Sequence, residues 1–346
     1  FTLGILTNSV MLWSQNLTER FLHRRLPDSA RRGQLARTYL LNAGVVTVIA
    51  GQLLAKAWHR HYRVTWVGAA VVAGVLAWHA ASVGRQVRAA GPGQRHRPAV
   101  LGYVASACFL TVGALLGAAL STGLDGAWQE RTRQAHLFVN VGGFVGLAVM
   151  ASLSVLFPAM WRVNGMRDRA GVSIPLAAAG VILAAVGAFF DAAAFGVFVY
   201  VAAWVWIFEG FLVNVIEVAR EPRGRVTYPG LSVFAGLIWL IATMLWYAVS
   251  LIIDTPEIPT LALLLGFAAQ VLIGAMSYLI PTTMGGGPAA VRAGLAEMNR
   301  ACWPRVVVFN ASLVCWLAVN SSWAKIVFSL LTFAALVAFL PLMARA

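Results

Sequence analysis

The chain has 346 residues, 60% of them hydrophobic and only 11% charged, with a mean hydropathy of +0.78. Such a composition excludes a soluble globular domain, which must turn about half of its residues toward water. The formal net charge of +14 does not point to nucleic acid, because the basic residues lie in short stretches between apolar runs rather than in one long solvated segment.

The apolar runs are about 20 residues long, enough to cross a hydrocarbon core of roughly 30 Å as helices. In lipid the backbone must satisfy its own hydrogen bonds, which favours helix, and the strict alternation of a membrane barrel is missing. The expected fold is all-α and polytopic: one transmembrane domain over residues 1–346 with eleven membrane-spanning helices. The first expected helix covers residues 1–13 and opens at Phe1 inside an apolar run, as a piece of a longer polypeptide would. The next four are expected at 38–57, 64–84, 99–121 and 136–161, followed by 172–190, 192–218 and 231–253. The last three fall at 259–284, 306–319 and 324–343. Cys108, Cys302 and Cys315 are scattered and suggest neither a disulfide framework nor a structural zinc site.

With these spans, loops alternate between two sides, and one side holds 20 of the 26 Lys and Arg residues, Arg37, Arg85 and Arg305 among them. The other side holds Lys56, Arg60, Arg63, Arg131, Arg133 and Lys325. By the positive-inside rule the richer side is cytoplasmic, which fits a bacterial cytoplasmic membrane protein surrounded by lipid, with no nucleic-acid partner.

The fifth and ninth helices resemble one another in register. GFVGLAVMASLSVLFP runs from Gly143 to Pro158, and GFAAQVLIGAMSYLIP from Gly266 to Pro281, each with the Pro 15 positions after the Gly. Chance recurrence of GF and LP in apolar helices competes with a parallel repeat of four helices. On the repeat reading the first helix, with Thr7-Asn8 and Gln15-Asn16, is a third copy. Three four-helix arcs make twelve helices, with one expected upstream of Phe1.

That layout resembles subunit I of the haem–copper oxidase superfamily. Three segments carry a closer likeness: LTNSVMLWSQNLTERFLHRR at 6–25, AHLFVNVGGFVGLAVMASLSVLFPAMWR at 135–162 and AAQVLIGAMSYLIPTTMGGGP at 268–288. They look like the membrane region of bacterial proteins that carry or accompany a copper nitrite reductase or multicopper oxidase domain, a region itself similar to the NnrS family. The resemblance implies haem b or copper near the outer face. It further implies a quinol as a partner, and electron transfer to, or anchoring of, an extracytoplasmic copper-containing domain or protein. The chain also departs from the oxidase pattern. An oxidase needs six histidines on its metals, whereas here His23 and His96 fall in basic loops, the sixth helix has none, and the ninth offers Gln270, Ser277 and Tyr278. An oxygen-reducing centre is therefore not expected.

Among individual residues, His136 enters the fifth helix from the outer side with Asn140 one turn on, and reads either as a haem or copper ligand or as an interfacial histidine bonded to a loop carbonyl. His59 and His61, in WHRHYR, read as partner ligands or as interfacial anchors beside Trp58 and Tyr62. His79 is within a span and reads as a ligand or a hydrogen-bonded core residue. Glu209, with Asn214 and Gln270, would line a proton or quinol pathway, or the path of a small solute if the chain is a transporter or channel. Asp191, Asp254 and Glu257 mark the outer surface, and GGGP at 285–288 reads as a helix stop and turn.

Overall fold

A computed structural model describes residues 2–163, 168–220, 226–253, 255, 258–284 and 286–346. It is helical throughout, with no strand among the described residues, so the chain is an all-α polytopic membrane protein. Nine helices in the described residues are long and apolar enough to cross a membrane, or ten when a pair bent by 41°, Gly287–Met298 and Cys302–Ala318, is taken as one. Sequence reading expects eleven. The difference is the first helix, Thr2–Phe21, which extends past the expected end at residue 13 and carries Asn8, Ser14, Gln15, Asn16 and Glu19 along its length.

The chain divides into two compact units. The first comprises Phe1–Val155 and Asp168–Ile207. Its helices are α1 (Thr7–Phe21), α2 (Asp28–Leu53), α3 (Tyr62–Ala90), α4 (Arg97–Leu120), α5 (Ala127–Leu137), the first part of α6 (Leu147–Trp161), α7 (Ala170–Gly187) and most of α8 (Ala193–Arg220). Close helix contacts depend on small residues. On α3, a Cβ added to Gly68 would lie 2.6 Å from the Val48 amide nitrogen and 2.7 Å from the Gly44 carbonyl oxygen, so the backbones of α2 and α3 touch there. The second unit comprises Leu156–Arg167 and Phe208–Ala346, and contains α9 (Tyr228–Ile252), α10 (Gln270–Thr283), α11 (Gly287–Met298), α12 (Cys302–Ala318), α13 (Ser322–Val337) and α14 (Phe339–Arg345). In this unit Phe157 stacks on Phe211 at 4.3 Å and Trp161 meets Phe234 edge-on, forming an aromatic core.

Three stretches among the described residues take the wider π-helical turn: Thr2–Leu6, Phe138–Gly146 and Ala262–Ala269. They fall in the three helices paired by the sequence repeat. Shifting 138–146 by the 123 residues that separate Gly143 from Gly266 lays it on 261–269, the position of the third stretch to within one residue. Each of the two later stretches meets a serine of the helix before it, inside the stretch in one case and just after it in the other. Ser106 of α4 donates to the Phe144 carbonyl at 2.7 Å, and Ser232 of α9 donates to the carbonyl of Gln270, the residue after Ala269, at 2.9 Å. Gly143 and Gly266 leave room for an aromatic from that same helix: an added Cβ would meet Phe109 at 2.5 Å and Trp239 at 2.6 Å respectively. Chance recurrence of GF and LP does not account for a shared irregularity of the backbone.

Several basic residues assigned to loops are helical. α2 starts at Asp28 and not at residue 38, so Arg37 lies within it and is buried; Arg305 is likewise buried in α12. The turn after α10 uses left-handed backbone at Gly286 (φ +88°) and Gly287 (φ +81°), the role expected of GGGP; Gly285 is outside the described residues.

Candidate functional site

Two places in the first unit gather functional side chains. The first is built on α4 and α5. His136 is in the last turn of α5, immediately before the π-helical stretch, and faces Gly113 and Gly117 of α4. These glycines make the seat: an added Cβ at Gly117 would stand 2.9 Å from His136 Cε1, and one at Gly113 would stand 2.5 Å from Asn140 Oδ1. Nδ1 of His136 lies 2.9 Å from the Gly113 carbonyl oxygen. A carbonyl only accepts, so Nδ1 carries the ring proton. The amide nitrogen of Asn140, 3.1 Å from Nδ1, then sends its hydrogen to the His136 carbonyl at 2.7 Å. The lone pair of a neutral ring is thereby left on Nε2, which has no hydrogen-bond partner among the described residues. This is the arrangement in which metal-ligating histidines are held, the second nitrogen fixed by a backbone carbonyl.

The other proposed ligands are arranged differently. His59 is exposed and His61 half-buried in the turn before α3, His61 contacting Tyr62 edge-on, and no hydrogen bond or ring contact joins either to His136 among the described residues. Among the described residues no three His, Cys, Asp or Glu side chains come together as a metal group. A bare copper ion needs several protein ligands, whereas a haem iron brings four ring nitrogens and needs only one or two more. As a single protein ligand, His136 would meet the need of a haem iron.

His79 belongs to the second place. It is 3% exposed on α3 and bonded at both ring nitrogens. Arg37 Nη1 lies 3.4 Å from Nδ1, and since a guanidinium only donates, Nδ1 accepts and Nε2 carries the proton. Nε2 donates to Ser14 Oγ at 3.0 Å, and that hydroxyl faces the Met11 carbonyl at 3.3 Å. No lone pair of this ring is left for iron. Arg37 also lies 5.7 Å from the centre of the Trp78 ring. Beside these groups is a cavity of about 330 Å³ lined by Gln15, Asn16, Gln34, Arg37 and His79 among others. A neighbouring cavity of about 550 Å³ shares Asn16 and Arg31 with it and adds Glu19, Arg20, His23 and Arg25. The Glu19 carboxylate is satisfied: Arg31 holds both of its oxygens, at 3.1 and 3.0 Å, and the Leu26 amide donates to it.

The residues expected along a proton, quinol or solute path lie as follows. Glu209 is exposed on α8, and the side chain of Asn214 lies outside the described residues. Gln270 is buried, but its amide nitrogen donates to the Ser232 carbonyl at 3.0 Å while Ser232 returns a bond to the Gln270 carbonyl, a reciprocal clamp between α9 and α10. Asn8 does similar work in the first unit, exchanging amide bonds with Asn42 of α2 at 2.9 and 3.2 Å. Asp191 is paired with Arg131 at 2.7 Å, and Asp254 and Glu257 are outside the described residues. Sequence reasoning missed Arg37, although an arginine next to an apolar run, three residues after Gln34 on the same helix face, was the available signal. No family model, curated protein or solved structure matches the chain.

Proposed function

We propose that the chain is a haem–copper-oxidase-like membrane module that binds haem through His136 near the outer face. It passes electrons from a quinol to an extracytoplasmic copper-dependent nitrite reductase or oxidase, or anchors that protein. The observation that carries the reading is the fixed tautomer of His136, whose Nδ1–H is committed to the Gly113 carbonyl so that Nε2 presents its lone pair. The π-helical turns in all three repeat-related helices support it, because such turns concentrate at functional sites. Haem would supply one-electron redox chemistry. The protein's own part is to hold the imidazole neutral and oriented between Gly113, Gly117 and Asn140. The arginine-rich helix ends argue for a cytoplasmic side there and for a bacterial inner membrane.

The test is an absorption spectrum of the purified protein together with metal analysis. Soret and α bands with stoichiometric iron, lost or shifted in His136→Ala but retained in His79→Ala, are the expected result. A colourless, iron-free preparation from haem-replete cells, or bands indifferent to His136→Ala, refutes it.

A further inference from the structure

We propose that the cavity between α1, α2 and α3 is a binding site for a phosphate group, with Arg37 as its principal contact and Gln34 as a second donor. Arg37 is 4% exposed, and no carboxylate pairs with it among the described residues. Its one hydrogen-bond partner there is a neutral imidazole nitrogen, and Arg85 is near enough to add to the positive field. A buried guanidinium is costly unless an anion meets it. The acid close at hand, Glu19, is spent on Arg31. The Nε2 of Gln34, one turn before Arg37 on α2 and lining the same cavity, is buried with no hydrogen-bond partner. The unpartnered Gln34 amide nitrogen and the Arg37 guanidinium thus line the same space of about 330 Å³, and a fork of guanidinium donors matches a group with several anionic oxygens. The adjoining cavity, with Arg20, His23 and Arg25 on its wall, continues the positive lining outward and favours anion entry. The phosphate group could come from solution or from the headgroup of an anionic lipid.

The experiment uses the full chain in nanodiscs of phosphatidylcholine alone and of phosphatidylcholine mixed with phosphatidylglycerol. Inorganic phosphate is titrated calorimetrically into the first, and phospholipid retained by protein released from the second is identified by native mass spectrometry. Saturable phosphate binding assigns the soluble source; selective retention of phosphatidylglycerol assigns the lipid. Either must weaken at least about tenfold in Arg37→Gln, a loss of about 1.4 kcal/mol, and be unchanged in Arg32→Gln, an exposed arginine on the same helix. Should Arg37→Gln fail to fold, Gln34→Ala removes a donor without touching the charge and must weaken binding several-fold. Absence of both kinds of binding in the wild-type chain, or binding equal in the wild type and the site variants, overturns the proposal.

Discussion

Gly117→Ala tests the seat of His136 by filling it. In a helix the substitution by itself favours the fold by about 0.8–1.0 kcal/mol, since glycine is the poorer helix former. At Gly117 the new methyl would stand 2.9 Å from His136 Cε1 and 3.5 Å from Nδ1, too close for an unmoved ring. The imidazole must shift by several tenths of an ångström, away from the Gly113 carbonyl that it bonds at 2.9 Å. Overpacking costs about 1–3 kcal/mol, and a weakened hydrogen bond about 0.5–1.5 kcal/mol; less the helix gain, the net effect is a destabilisation of about 0.5–3.7 kcal/mol. The assay is reversible unfolding in mixed detergent micelles, with Gly74→Ala on α3, where an added Cβ meets nothing within 4 Å, as the reference. Repeating Gly117→Ala in a His136→Ala background removes the obstacle, and there the substitution should turn stabilising, as at Gly74. Equal effects in the two backgrounds would refute the steric argument, and with it the claim that α4 shapes the histidine site.

Three further outcomes follow from contacts described above. Ser106→Ala and Ser232→Ala each remove a side-chain hydrogen bond to a helix carbonyl that also has a backbone donor, and should cost about 0.5–1.5 kcal/mol apiece and speed amide exchange locally around Phe144 and Gln270, as read by exchange mass spectrometry. His79→Leu removes the acceptor of Arg37 and should lower the melting temperature, while Arg37→Met in the same background restores part of the loss; a further drop in the double variant contradicts the pairing. His96, before α4 and 5.5 Å from Phe21, has its pKa depressed, first by burial and then by Arg95, with His23 acting in the same direction and Asp168 opposing. A histidine whose folded pKa is lowered contributes stability that is present above its unfolded pKa of about 6.5 and lost as pH falls through the folded value. The melting temperature should therefore fall on acidification below that point, and less steeply in His96→Gln.

The membrane-spanning fold was legible because lipid forces long apolar helices, and that signal survives one-residue errors in boundaries. Regularity in sequence also exposed the pairing of the helices around Gly143 and Gly266, though the π-helical turns they share have no composition of their own and could only be seen in the backbone. Arg37 and Arg305 were hidden by the same rule that located the loops. Counting charge assigns an arginine at the edge of an apolar run to water, yet Arg37 bonds His79, and Arg305 lies 3.4 Å from the centre of the Tyr228 ring and donates to the Met298 carbonyl. The facing of Glu209 was not legible either. A carboxylate within a span suggests a buried group, but the rotation of α8 turns it outward, and helical phase around a buried interior is a tertiary property. For His136 the i,i+4 partner Asn140 was visible, whereas the deciding contact comes from Gly113, 23 residues earlier on another helix.

The widened turn at Phe138–Gly146 also sets rotational phase along its helix. One residue beyond the regular count per turn rotates everything downstream by about 100° around the axis. The face that carries His136 before the widened turn and the face that α6 presents after it are thus different stripes of one continuous helix. A substitution pattern designed on a straight-helix wheel through Leu147–Trp161 would misassign which side chains look the same way as the imidazole. The same offset, built in at Ala262–Ala269, lets two helices with matching Gly-to-Pro spacing present their two halves to different neighbours.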